Sequence, residues 1–214
     1  QQMGGLLTQD DLARYHVKVG TPVTVNYKGY DVYSTGPWGQ GPTFPQALKI
    51  LEGFDLPSMG HNTPEYIHTV SQALNLAFAD REKYVGDPDF VDVPIKDLLS
   101  EEYLAQRRGL IHADMAWPGM PPAGDPRGRK PTLNGESLSP KDAPVPLATA
   151  GPTGGGTSYF AVIDRDGNIF SSTPSEGTKN GGPIIPGTGL AFSLRGSQSK
   201  LDESAPASVQ PGKR

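Results

Sequence analysis

The sequence has 214 residues, a net charge of −4, no cysteine and 35% apolar side chains, which is room for one large domain or two small ones. Without cysteine there is no disulfide, thiolate metal site or cysteine nucleophile, although the compartment stays open, periplasmic or secreted as well as cytoplasmic. The mild acidity and the lack of a dense Lys/Arg run argue against nucleic acid, and no apolar stretch approaches the ~20 residues of a membrane span.

Residues 8–15 read as a short helix, with Thr8 and Asp11 at capping-box spacing. Val23, Val25 and Tyr27, then Lys28-Gly29, then Tyr30 and Val32 give the alternation of a hairpin over 22–34. A Gly/Pro loop, GPWGQGPT, covers 36–43, and a helix is predicted from about Phe44 to Glu52, ended by Gly53. The strongest helix signal runs from Pro64 to Tyr84. Thr63 suits its N-cap and Pro64 its first position, and Tyr66, Ile67, Val70, Ala73, Leu74, Ala77 and Phe78 recur at three and four residues on a face expected to be buried. Another short helix spans Ser100 to Arg108, closed by Gly109.

From 113 to 156 the chain is dense in proline and glycine and poor in large apolar residues, the composition of a mobile linker. After it, Thr157–Asp164 reads as a buried strand, Arg165-Asp166-Gly167-Asn168 as a turn, and Ile169–Ser175 as the partner strand. The expected organisation is therefore a helix-rich region (1–112), a tether (113–156) and a β-rich region (157–214) too short to be a complete domain. With no Met at the start and no closing element at Pro211-Gly212-Lys213-Arg214, the sequence is expected to be part of a longer protein.

The stretch Gly151-Pro152-Thr153-Gly154-Gly155-Gly156 places a flexible lead-in directly before Thr157. An ordinary threonine opening a hairpin strand fits that pattern. A chain that cuts itself between Gly156 and Thr157 fits it too. Cleavage would free an α-amine, which titrates near ~8 and can serve as base for the Thr157 hydroxyl as nucleophile. Gly156 carries no side chain to keep that hydroxyl from the preceding carbonyl.

Five segments in order, GGLLTQDDL (4–12), GQGP (39–42), ALKILEGFDL (47–56), ALNLAFADREKYVGDPDF (73–90) and TSYFAVIDRDGN (157–168), resemble the γ-glutamyltransferase family over nearly the whole chain apart from the linker. The resemblance implies an α+β fold, the four-layer αββα sandwich of the N-terminal-nucleophile (Ntn) hydrolases, present here in part. It implies a precursor cut before Thr157 into a large and a small subunit. It also implies an acyl-enzyme formed on Thr157 from a small-molecule amide and passed to water or an amine, with no cofactor. Ser175 matches a family threonine that hydrogen-bonds the nucleophile, and Thr173 lies one strand period earlier, on the same face.

The departures bear on substrate. Gly177 stands where γ-glutamyl-specific members carry asparagine, and Arg195-Gly196-Ser197-Gln198 where they carry an acidic pair. Gln198 is a weaker partner for an ammonium than a carboxylate, while Arg195 suits an anion. Substrate contacts are therefore expected at Gly177, Arg195, Ser197 and Gln198, with glutathione disfavoured and oxamate- or cephalosporin-type amides as alternatives. A catalytically inactive homologue kept as a binding or scaffold protein is the rival class. The family's oxyanion-hole glycines and carboxylate-binding arginine are expected beyond Arg214 and before Gln1, so these 214 residues alone are expected to be inactive.

Among other candidates, His16, His61, His68 and His112 lack metal-ligand spacing, and no metal site is expected. His68 is expected at the surface or in hydrogen-bonded packing. Asp80 and Arg81 are expected in ion pairing, Asp87 or Asp89 in capping the GDPDF turn, and Trp38 either beside the substrate's approach or in loop packing.

Overall fold

In the computed structural model, residues 8–128, 156–176, 184–189, 196 and 199–213 are described. The fold is α+β. Helix α1 (Gln9–Arg14) opens with the expected reciprocal cap: Asp11 N–H donates to Thr8 Oγ1 (3.1 Å) and Thr8 N–H to Asp11 Oδ2 (2.9 Å). Strands β1 (Val23–Tyr27) and β2 (Tyr30–Ser34) form the expected antiparallel hairpin, in the register Val23↔Ser34 to Tyr27↔Tyr30. Lys28 (φ 49°) and Gly29 (φ 90°) both take left-handed torsions, as a tight two-residue turn requires. The turn is held on helix α2 (Thr43–Leu51), whose C-cap Glu52 accepts the Lys28 N–H (2.9 Å).

Helix α2 ends for a reason the sequence hides. Gly53 adopts no left-handed torsion; instead the Arg108 guanidinium passes over it, donating to the carbonyls of Ile50 (3.0 Å) and Lys49 (3.1 Å). A Cβ at Gly53 would stand 2.1 Å from Arg108 Nε. The bare glycine thus lets an arginine satisfy the last carbonyls of the helix.

After the one-turn helix α3 (Leu56–Met59) comes α4 (Pro64–Tyr84), capped by Thr63, which accepts from Tyr66 N–H (3.2 Å). One-turn α5 (Ile95–Leu98) and α6 (Glu101–Arg108), capped by Ser100, follow. Helices α3 and α5 have no counterpart among the predicted elements. Helix α4 packs on α2, and the core gathers Ile50, Leu51, Ala73, Leu76 and Leu104, with Leu56, Val70, Leu110 and Ile111 around it. The predicted apolar face of α4 is rotated. Ala73 and Ala77 are buried, but Ile67 and Leu74 are exposed, and Thr69, Gln72, Leu76, Ala79 and Asp80 take the inward positions. Small and polar residues turn inward because the partners there are a crowded helix face and a buried ionic cluster. Among the described residues no helix is long and apolar enough to cross a membrane.

That cluster centres on Asp80, which is fully buried. Its carboxylate accepts from Gln46 Nε2 (2.6 Å), Tyr103 Oη (2.8 Å) and Gly124 N–H (2.9 Å), and pairs with Arg107 Nη2 (3.2 Å). The expected pairing of Asp80 is found, with Arg107 as the partner. Arg81 faces outward to Glu82 and to Gln40 Oε1 (2.7 Å). Burial, then the adjacent Asp80 charge, pushes the Tyr103 hydroxyl far above its ordinary 10.0. Tyr103 therefore stays protonated in the folded protein where the unfolded chain would ionise. Its stabilisation is complete below pH 10.0 and is lost as pH rises above that value. Urea melts from pH 8 to 11 are expected to show this alkaline fall, and Tyr103→Phe is expected to flatten it; an unchanged slope in the variant would refute the assignment.

The cluster also corrects the predicted start of the tether at 113. Trp117 donates from its backbone to Gln72 Oε1 (3.3 Å) and from its indole to the Leu110 carbonyl (3.2 Å). Arg107 donates to the Pro122 carbonyl (3.1 Å), Tyr84 Oη to that of Gly124 (2.7 Å), and Arg127 pairs with Asp92 (2.5 Å) and Asp97 (3.1 Å). Residues 113–128 are thus a strap on the helical body. Proline and glycine there reflect an irregular path whose polar groups are met by side chains of α4 and α6. The rest of the predicted tether, 129–155, lies outside the described residues.

Candidate active site

The second hydrogen-bonded unit begins at the candidate cleavage point. Strand β3 (Gly156–Thr157) pairs antiparallel with β6 (Ser175–Glu176), placing Thr157 opposite Ser175. Strand β4 (Phe160–Ile163) pairs with β5 (Ile169–Ser172) in the register Phe160↔Ser172 to Ile163↔Ile169. The two predicted long strands are each broken close to the end that carries Thr157 or Ser175, at Ser158–Tyr159 and Thr173–Pro174. Pro174 has no N–H to donate, so the ladder narrows there to one bond, from Ser158 N–H to the Pro174 carbonyl (3.0 Å).

The turn between β4 and β5 is the predicted Asp166-Gly167 turn, with Gly167 left-handed (φ 83°). Its anchor is Asp164, expected from the sequence only as the end of the strand. The Asp164 carboxylate accepts from the N–H groups of Asp166 and Asn168 (both 2.9 Å) and from Asn168 Nδ2 (2.8 Å). The Asn168 side chain first, then the backbone donors, hold its carboxyl below the usual range. The spacing Asp-x-Asp-Gly-Asn was the available signal, since an aspartate two residues before a turn commonly binds the turn's own amides.

This tight hairpin fixes the ends that carry the candidate chemistry. Thr157 Oγ1 and Ser175 Oγ lie 2.5 Å apart, a short hydroxyl–hydroxyl hydrogen bond. Thr157 is exposed and Ser175 half-buried. Thr173 falls in the break between β5 and β6, where strand alternation no longer fixes its facing, and it makes no hydrogen bond among the described residues. Gly156 is the residue before Thr157 in β3. Gly177, Arg195, Ser197 and Gln198 lie outside the described residues.

The predicted burial of the 157–164 strand does not hold. Phe160, Val162, Ile163, Ile169 and Phe170 are each 48–71% exposed. The register puts Phe160, Val162 and Phe170 on one face and Ile163 and Ile169 on the other, so the hairpin is apolar on both sides. Such a pattern belongs to a strand pair with cover on both faces, and the described residues supply little of it.

Elsewhere the predicted roles separate. His68 Nε2 donates to the His112 carbonyl (2.7 Å), the packing role expected of it. Asp87, almost fully buried, accepts from Asp89 N–H (3.1 Å) and caps the GDPDF turn. Trp38 is half-exposed at a cleft whose other wall includes Ser208, Val209 and Gln210. Among the described residues no group of three or more His, Asp or Glu side chains is arranged to hold a metal ion.

The family model described as gamma-glutamyltranspeptidase matches residues 1–214. The chain belongs to this family. It is 33% identical to the glutathione hydrolase proenzyme of Bacillus subtilis subsp. natto, over 100% of the chain and 35% of that protein. It is 31% identical to the acylase ACY 1 proenzyme of Pseudomonas sp. (strain SE83), over 99% of the chain and 34% of that protein. Among solved structures, the cephalosporin acylase from Bacillus halodurans superposes with a TM-score of 0.72 at 31% identity, over 100% of the chain and 33% of the acylase. This family member thus spans about a third of the length of such relatives, among them both a glutathione hydrolase and acylases.

Proposed function

We propose that the protein is an Ntn amidohydrolase or acyltransferase, made as a precursor that cuts itself between Gly156 and Thr157. The observation that carries this reading is the Thr157 hydroxyl, 2.5 Å from Ser175, on the residue that follows Gly156 in strand β3. Relatives named as proenzymes support it.

In the precursor, Thr157 Oγ attacks the Gly156 carbonyl carbon, and its proton passes to the nitrogen of the breaking peptide bond. The acyl group moves from nitrogen to oxygen, and water then hydrolyses the ester. A carboxylate is left on Gly156 and a free α-amine on Thr157. In turnover that amine takes the Thr157 hydroxyl proton as Oγ attacks a substrate amide. The leaving amine departs protonated, and water or an amine acceptor releases the acyl group.

Ser175 acts as a positioning residue, holding Thr157 Oγ in one rotamer. Ser175→Ala is expected to slow both cleavage and turnover roughly tenfold, the cost of one lost hydrogen bond, while Ser175→Thr retains both. Equal rates in Ser175→Ala would remove the residue from the mechanism.

The two apolar faces of β4–β5 suit the inner layer of the four-layer αββα sandwich, which we propose for the whole protein. For substrate, Arg195 and Gln198 in place of an acidic pair favour an acyl group that carries an anion or lacks an α-ammonium, and the similarity to acylases points the same way. Intact-mass analysis of the whole protein, with turnover on a γ-glutamyl anilide set against oxamate and acyl-lactam amides, tests the proposal. A cut before Thr157 with preference for the second group is expected. An uncut, inert protein would favour a scaffold role instead.

A further inference from the structure

Three contacts tie residues 199–213 to the end of α4 and the turn after it. The Lys200 ammonium pairs with Glu82. Lys213 Nζ lies 5.9 Å from the centre of the Phe90 ring. Between these, a Cβ placed on Gly86 would stand 2.5 Å from the Pro206 carbonyl oxygen. Gly86 has no left-handed torsion, so the close approach of Pro206 is what calls for glycine there.

The docked segment is braced within itself. Lys200 N–H donates to the Ala207 carbonyl and Val209 N–H to that of Lys200 (both 2.9 Å). Ser204 donates to Asp202 from its N–H (2.9 Å) and its hydroxyl (2.7 Å). Gln210 Nε2 (3.1 Å) and Lys213 Nζ (3.0 Å) both donate to Ser208 Oγ, and Ser208 is buried. It is a hook of fixed shape.

We propose that this hook is the clasp that keeps the two halves of the protein together once the chain has been cut ahead of Thr157. The occasion for a clasp rests on the cleavage reading above; the contact does not. Residues 8–128 precede the cut and 199–213 follow it. In the uncut chain their contact is intramolecular, and after the cut it must hold between separate polypeptides. The upstream strap is fastened to the same stretch of α4, through Asp80 and Tyr84. Helix α4 and the turn beyond it therefore grip the chain on both sides of the cut, so Thr157 does not leave with its half.

The test uses the whole protein, with a recognition sequence for a site-specific protease inserted between residues 140 and 141, so that the chain can be cut whether or not it cuts itself. Association of the halves is read by native mass spectrometry and gel filtration in a urea series. Wild-type halves are expected to stay paired. Gly86→Val is expected to weaken their association roughly ten- to a hundredfold, because the packed backbone must shift. Lys200→Glu is expected to weaken it roughly three- to tenfold, and adding Glu82→Lys to restore most of that loss. The charge swap keeps the test sharp should Gly86→Val fail to fold. Association unchanged within about twofold in both single variants, or no recovery in the swap, would overturn the clasp. A Thr157 bond that stays whole while the engineered cut gives these same losses would sink the cleavage reading alone.

Discussion

Thr157→Ala is expected to leave the protein as one uncut chain and to lower amide turnover by roughly 10⁴- to 10⁶-fold, the scale set by removing the nucleophile from other acyl-transfer enzymes. One residue carries three tasks in the proposed mechanism: its hydroxyl opens the peptide bond, its hydroxyl then holds the acyl group, and its new α-amine moves the proton. Alanine keeps an α-amine in principle, but without the hydroxyl the cut that would free it does not occur. Thr157→Ser is the informative control, since it keeps all three groups and loses only the methyl. It is expected to be cut and to turn over within about tenfold of wild type. Intact mass separates the cut and uncut forms, and turnover on the preferred amide reports the rest. A Thr157→Ala protein that is still cut before residue 157, or still active, would end the proposal.

Asp80→Ala is expected to destabilise the helical body by about 3–5 kcal/mol, the cost of removing one member of a buried, hydrogen-bonded ion pair. The cost exceeds that of a single contact because four partners are stranded: Gln46, Tyr103, the Gly124 N–H and Arg107. Arg107 is almost fully buried, so its charge has no water to turn to. Asp80→Asn keeps the shape and some of the bonds and is expected to lose less. Replacing Asp80 and Arg107 together by leucine and methionine is expected to recover much of the loss, because no unpaired charge remains. Denaturant melts at neutral pH check all three. A loss below about 1 kcal/mol in Asp80→Ala would mean that the cluster holds neither the helices nor the strap.

The helices were legible where local signals act alone. Thr8 with Asp11, Thr63 with Pro64, Ser100 before α6 and the left-handed pair Lys28-Gly29 each satisfy or redirect backbone groups within a few residues. Local chemistry was incomplete where a distant residue takes over the same task. Gly53 does stop α2, but by leaving room for Arg108, which comes from another helix to close it. Asp80 and Arg81 both pair, as expected, but the sequence could not name the partner of Asp80, because Arg107 reaches it from α6. The Pro/Gly composition of 113–128 looked like a tether, and only the side chains waiting on α4 and α6 make it a strap.

The sequence by itself determined the family, the candidate nucleophile at Thr157 and the turn that folds its hairpin, since these rest on residue order and short-range hydrogen bonds. Tertiary structure alone decided that the Thr157 and Ser175 hydroxyls meet at 2.5 Å, that Thr173 falls in a break, and that the segment around Pro206 folds back over Gly86. The physical reason is range. A cap or a turn is settled among neighbours a few residues apart, whereas a contact between residues 86 and 206 exists only once the intervening chain has been folded back.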